Sequence, residues 1–315
     1  MNIVMSLALV THPNYSFDFP AKHRFPMEKF RLLHQHLQAQ GLATPENTFR
    51  PGKAKLELLQ LGHCPNYLDR FIHNRQTPQE VRRMGLPWSP ALMKRTLISP
   101  NGTFLTANLA LEKGIACHLA GGTHHAHYDA ASGFCVLNDL AIAALALLHK
   151  SRRTQLNRPS VMIFDCDVHQ GDGTANILAE EPRAFTCSVH CDKNFPARKA
   201  RSDMDVEVAK GTSDDEYLST VDKALHKAID QSKPSLIFYD AGVDIYHHDP
   251  LGLLNVSLDG IRQRDRLVLE TCRSKGIPIA TVIGGGYDDD RLALARRHAI
   301  VVEEAFQVFQ NQREA

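Results

Sequence analysis

One pattern recurs along this chain and restricts its fold more than any other feature. A short apolar run is cut off by a polar, glycine-rich or acidic stretch, and a helical segment follows. Residues 115–120 run into Gly121-Gly122-Thr123-His124-His125. Val161-Met162-Ile163-Phe164 gives way to Asp165-Cys166-Asp167-Val168-His169. Residues 236–239 lead to Asp240-Ala241-Gly242-Val243-Asp244, and residues 277–283 to Gly284-Gly285-Gly286-Tyr287. None of these runs alternates strictly between apolar and polar residues. Strands of that composition belong to a parallel sheet covered on both faces by helices. The expected fold class is therefore α/β: a single domain, residues 1–315, built on a mainly parallel multi-stranded sheet with helices on both faces. Open parallel sheets form their sites at the carboxyl ends of strands, so the four polar stretches are expected at one edge.

The remaining elements follow from local signals. Residues 3–10 read as an opening strand, since they lack the basic start and long apolar stretch of a signal peptide. Residues 11–26 form a structured loop, and a helix follows from Pro26 to Gly41. Between Lys53 and Gly114 the chain is helical in pieces, with Pro65, Pro78, Pro90 and Pro100 near helix starts; Leu105, Leu109 and Leu111 give the last piece an apolar stripe. Further helices are expected over residues 138–149, 173–180, 213–231, 259–274 and 288–310, and a strand over 184–190; residues 193–211 read as loop. Net charge is +1, which gives no electrostatic case for nucleic acid or an anionic membrane. No apolar run reaches the ~18 residues a membrane span needs. Seven cysteines without a C-x-x-C pair point to the reducing cytoplasm, and Cys187 and Cys191 are the only pair at metal-ligand spacing. Oligomeric state is not legible.

The acidic stretch after residue 164 carries the chemistry. Asp165, Asp167 and His169 are spaced i, i+2, i+4, so on an extended backbone they project to one side. Unpaired buried charge is costly, and a divalent metal is the simplest compensation; the O, N, O donor set of Asp167, His169 and Asp244 suits Zn²⁺ or Fe²⁺. Three protein ligands leave a position open for water, which such a metal acidifies. Of the adjacent His124 and His125, one is expected to face that water as general base. Asp165 and Asp172 suit the task of orienting the two imidazoles. Tyr287, after three glycines, is placed to donate to an oxyanion. The sum is metal-assisted hydrolysis of an amide or ester. His127, His247 and His248 read as loop or surface residues. Two other functions compete: a metal-holding module that binds an acyl ligand without turnover, and an arginase-like ureohydrolase with two manganese ions.

With these motifs in order, the sequence resembles the histone deacetylase family of the arginase/deacetylase fold from about Leu119 to Tyr287. The resemblance is carried by Gly121-Gly122-Thr123-His124-His125, Asp129, Ser132-Gly133-Phe134-Cys135 and Leu137-Asn138-Asp139. It continues through Asp165-x-Asp167-x-His169-x-Gly171-Asp172-Gly173, Ala241-Gly242-Val243-Asp244, Asp249-Pro250-Leu251-Gly252 and Gly284-Gly285-Gly286-Tyr287. It implies zinc on Asp167, His169 and Asp244, with His125 as general base and acid and His124 as its electrostatic partner. Asp172 and Asp165 are then their respective carboxylates, and Tyr287 polarises the substrate carbonyl. Gly133, Phe134 and Phe195 resemble the wall of a tunnel for an acyl-lysine stem, with an acyl-lysine protein or a small acylamine as substrate. A structural potassium ion near Asp165, Asp167, His169 and Ser188 is also implied. Three glycines stand where many members have four, Asp288 replaces a frequent asparagine, and His247-His248 replace small residues. The acidic rim residue that clamps a peptide backbone has no clear match. Gln170 and residues 23–27 are most similar to the class IV branch and its bacterial relatives.

Overall fold

A computed structural model describes residues 6–154 and 159–311. Its centre is an eight-stranded sheet, every strand parallel to its neighbours, in the order β2-β1-β3-β8-β7-β4-β5-β6. The strands are β1 (Ala8–Val10), β2 (Thr48–Phe49), β3 (Ile115–His118), β4 (Val161–Asp165), β5 (Ala184–Cys191), β6 (Met204–Val208), β7 (Leu236–Asp240) and β8 (Ile279–Val282). Between them run α1 (Lys29–Ala39), α2 (Leu56–Leu59), α3 (Pro65–Ile72), α4 (Pro78–Met84), α5 (Pro90–Thr96), α6 (Ser99–Lys113), α7 (Asp139–Thr154), α8 (Asp172–Leu178), α9 (Asp214–Ser232), α10 (Leu258–Ser274) and α11 (Arg291–Gln310).

The central strands are largely apolar because both faces are covered. Met162 and Phe164 of β4 pack with Cys187, Ile237, Tyr239 and Ile279 in the larger core, which includes residues of α1, α9, α10 and α11. Val161 and Ile163 pack with Ala116, Phe238 and Ala280 against α6 and α7. Successive side chains point to opposite faces, so two cores require two apolar registers on one strand. α7 shows the same logic: residues 139–144 are wholly buried, and only an almost continuous apolar helix can occupy that place.

The expected elements form, with boundary shifts of a few residues. Residues 3–5 of the opening strand lie outside the described residues. The four prolines each fall at the start of a helix, where a missing N–H costs nothing. Residues 193–211 are not all loop: β6 lies within them as the edge strand beside β5. Its alternating burial, with Met204 and Val208 in and Asp205 and Glu207 out, follows from having one covered face. β2 is a second edge strand, two residues long and without a local signal. The stripe on α6 is also narrower than its leucines suggest, since Leu111 is exposed. Among the described residues no helix is long and apolar enough to cross a membrane.

Candidate active site

Register builds the site. Asp165 ends β4 and pairs with Ser188 on one side and Asp240 on the other, so three loops leave the sheet at the same level. Beyond β4, Asp167 Oδ1 and Asp244 Oδ2 approach His169 Nδ1 at 3.0 and 3.1 Å. Backbone N–H groups of His169 and Gly285 donate to Asp167, and that of Val168 donates to Asp244. The glycine at 285 is required by space: a Cβ there would stand 2.2 Å from Asp244 Oδ2 and 2.5 Å from Asp167 Oδ2. Both carboxylates are almost wholly buried and share one imidazole. A buried pair of like charges converging with a nitrogen donor fits a divalent cation, and the three donor atoms lie within 4.8 Å of one another. A second group that close, His124, Asp165 and Asp240, sits beneath it. Neither group contains Cys187 or Cys191, whose thiols are free.

The two histidines of the β3 loop take separate carboxylates. His124 Nδ1 lies 2.7 Å from Asp165 Oδ2, and His125 Nδ1 lies 2.7 Å from Asp172 Oδ1. Burial opposes a charge on His124, yet the carboxylates of Asp165 and Asp167 outweigh it and hold its pKa well above the ordinary value. His125 goes the other way: burial, aided by the neighbouring His124 charge, pushes it down to about 4 despite Asp172. Burial works against ionised Asp172 too, but hydrogen bonds from His125 and His127 keep it well below the usual carboxylate range. Ionised Asp172 accepts from Nδ1–H of neutral His125, which leaves Nε2 as the basic nitrogen.

His127 is more than a loop residue: its Nε2 lies 3.2 Å from Asp172 Oδ2. His247 bonds the Val256 carbonyl and stacks with Tyr246 and His248, in keeping with a loop role. Ser188 pairs its hydroxyl with His190 at 2.9 Å. Tyr287 is held by its backbone, whose N–H donates to Asp249 Oδ2 at 2.7 Å. Burial raises the Tyr287 hydroxyl well above its ordinary pKa, so it stays a donor. The mouth is aromatic. The Phe195 ring stands edge-on to His125 at 4.8 Å, Phe134 is 6.0 Å from Tyr287, and Gly133 leaves between them a gap that a Cβ would close against His125 at 2.6 Å. Phe134 adopts φ 65°, an unfavourable region for an aromatic residue, and its N–H is tied to the Met84 carbonyl.

Sequence reasoning missed five participants. Asp240 and Asp249 lie within recognised motifs but were given no role from the sequence; Lys29, Arg95 and Arg264 carry no local signal. Lys29 and Arg95 line the same pocket as His124, His125, Asp167, His169 and Tyr287. Arg264, fully buried, donates to the carbonyls of Cys166, Ala241 and Gly242 and pairs with Asp265, tying the β4 and β7 loops together from behind.

Polar groups gathered at the carboxyl edge of an all-parallel sheet, around paired histidines and a carboxylate–imidazole cluster, define an amidohydrolase of the deacetylase type. Within that class the chain belongs to the histone deacetylase family: residues 23–302 match the histone deacetylase domain. It is 45% identical to an uncharacterized protein of Picosynechococcus sp., over 97% of this chain and 100% of that one. It is 34% identical to histone deacetylase 2 of Arabidopsis thaliana, over 84% of this chain and 70% of that one. Among solved structures, acetylpolyamine aminohydrolase from Burkholderia pseudomallei superposes with a TM-score of 0.75 at 22% identity, covering 95% of this chain and 98% of that one.

Proposed function

We propose that this protein is a zinc-dependent deacylase that hydrolyses short N-acyl groups from lysine side chains or from a small acylamine. The observation that carries the proposal is the convergence of Asp167, His169 and Asp244 beside a neutral His125 whose Nδ1–H is tied to Asp172. Zinc held by those three residues supplies Lewis acidity, polarising the amide carbonyl and acidifying a water. The chain's own groups do the rest. Gly133, Phe134 and Phe195 grip the alkyl stem, excluding water from a narrow slot. His125 Nε2 takes the proton from the attacking water and returns it to the departing amine. Cationic His124, fixed by Asp165, and the Tyr287 hydroxyl stabilise negative charge growing on the carbonyl oxygen.

The pocket that His125 and Tyr287 line has a volume of about 40 Å³, and we take a short acyl group as the first substrate to assay. An acylated polyamine offers the same alkyl stem as lysine, and the neighbour named acetylpolyamine aminohydrolase makes that the second substrate to assay. We further assign Asp165, Asp167, His169 and Ser188 to a structural potassium site at the end of β4. Catalysis is assigned to the whole chain as one domain, and the seven free thiols are in keeping with the cytoplasm.

The test is turnover of wild-type protein and Tyr287→Phe on N-acyl-lysines from acetyl to myristoyl, with bound zinc quantified. Tyr287→Phe should keep its zinc and lose roughly 10²–10³ in turnover. Full activity in that variant would remove Tyr287 from the mechanism, and stoichiometric zinc without hydrolysis of any acylamine would favour the binding-module alternative.

A further inference from the structure

Apolar packing does not fix Phe195. The residue is 44% exposed, yet its ring stands perpendicular to His125 with centres 4.8 Å apart. An exposed ring gains little from burial, so its place over His125 has to come from the polar bonds of its neighbours. Asn194, 6% exposed, supplies two of them. Its Nδ2 donates to the Leu251 carbonyl at 2.7 Å, and its Oδ1 accepts the Leu253 N–H at 3.1 Å. An amide offers a donor and an acceptor at once, which neither a carboxylate nor an aliphatic side chain does. Lys199 Nζ adds a second tie, donating to the carbonyls of Asn194 and Pro196 on either side of the ring.

Leu251 and Leu253 belong to a turn, residues 249–253, that also holds Tyr287. Asp249 Oδ1 accepts the N–H groups of Leu251 and Gly252 at 2.9 and 3.2 Å, and its Oδ2 accepts the Tyr287 N–H at 2.7 Å. The turn lies directly against the loop of a metal-ligand candidate: a Cβ at Gly252 would stand 1.8 Å from the Asp244 carbonyl oxygen. One turn therefore ties down both the ring over His125 and the tyrosine beside Phe134. Resting on the deacylase function proposed above, we infer that the 249–253 turn, acting through Asn194 and Asp249, sets the spacing of Phe195 and Tyr287 and thereby selects a slender, unbranched alkylamine stem. Asn194 and Asp249 are positioning residues, and a shift of about 1 Å in a group they hold is enough to cost up to ~10²-fold in rate. Asn194 Nδ2 also lies 3.5 Å from His169 Nε2, so bound zinc is measured in every variant.

Two substrates that differ in the stem separate this role from general damage: Nε-acetyl-lysine and N-acetyl-4-(aminomethyl)phenylalanine, whose stem carries a ring. The zinc-loaded wild type should favour the alkyl stem by about tenfold or more in kcat/KM. Asn194→Ala should keep its zinc, raise KM for acetyl-lysine more than it lowers kcat, and bring the ratio between the stems near one. Lys199→Met should shift the ratio the same way, and it carries the test where Asn194→Ala does not fold. With Phe195→Ala in place, Asn194→Ala should add little, because the ring it holds is gone. Asp249→Asn, which turns an amide N–H against one of three backbone N–H groups, should lower kcat and add little to Tyr287→Phe. Calorimetric titration of hexanohydroxamic acid into the zinc-loaded proteins gives a readout independent of turnover, with weaker binding expected in Asn194→Ala and Lys199→Met. A stem ratio and hydroxamate affinity unmoved in both variants, or Asn194 and Phe195 effects that multiply, would overturn the role of the turn. Zinc lost from Asn194→Ala would overturn it too, by assigning Asn194 to His169. Acetyl-lysine hydrolysis alongside any of these results would leave the deacylase function standing. Absence of all hydrolysis with hydroxamate binding still dependent on Asn194 would remove the deacylase function and keep the role of the turn.

Discussion

His124 and His125 are consecutive, with ring centres 4.1 Å apart, and burial acts on both; their carboxylates decide which one is charged. Asp165 and Asp167 together keep His124 cationic, whereas Asp172 shares its charge between His125 and His127 and leaves His125 neutral. One of the buried imidazoles outside this pair makes a pH prediction possible. His63 is wholly buried, and its Nε2 accepts the Asn138 N–H at 2.8 Å. Burial lowers its pKa from 6.5 to about 4. Between those values the unfolded chain binds the extra proton, so this stability is full above about pH 6.5 and lost as pH falls toward 4. The loss is on the order of 3 kcal/mol. Denaturant unfolding at pH 7 and pH 5 should show a shallower acid decline in His63→Gln than in the wild type. An identical decline in both would assign the acid sensitivity to other groups. His63 as a cap on the α7 start was not legible, because its partner lies 75 positions away.

At the scale of elements, the site depends on two loops that the sheet alone does not fix. β4 and β7 are neighbours, and their paired ends carry Asp165 and Asp240. Past those residues the Cys166 N–H still donates to the Asp240 carbonyl, and Arg264 of α10 adds a brace by bonding three loop carbonyls and Asp265, which also accepts from the Tyr239 hydroxyl at 2.6 Å. Arg264→Met should therefore destabilise the fold by about 3–5 kcal/mol, since it leaves Asp265 buried without its cation. Thermal unfolding of Arg264→Met beside the double variant Arg264→Met/Asp265→Leu checks the cause. Recovery in the double variant is expected; equal loss in both would show that the carbonyl contacts, not the ion pair, dominate. Residues 259–274 read from the sequence as a helix, and its fully buried arginine looked like any other charge.

For the whole molecule, the carboxylate–imidazole cluster couples folding to a ligand. Asp167 and Asp244 repel one another when nothing cationic lies between them. A bound divalent ion stabilises the native state by RT ln(1 + [L]/Kd), about 4 kcal/mol at a thousandfold excess over Kd. Chelation should lower the melting temperature and abolish turnover, and added zinc should restore both. Asp167→Ala should melt at one temperature with or without chelator; a chelator-dependent shift in that variant would place the metal elsewhere. The sequence by itself determined the parallel α/β class and the prolines that start four helices, and it singled out Asp165, Asp167, His169, Asp244, His124, His125, Asp172 and Tyr287 as candidates. Those are legible because strand period and loop composition are local, and because charges at the end of an apolar run stand out against it. Only the tertiary structure decided which imidazole is charged, that Asp249 holds Tyr287, that Arg264 braces the loops, and that Lys29 and Arg95 meet in one pocket. Those facts depend on burial and on distances between residues far apart in the chain, and a lysine at the start of a helix or an arginine within one has the same local pattern whether it faces water or a cavity.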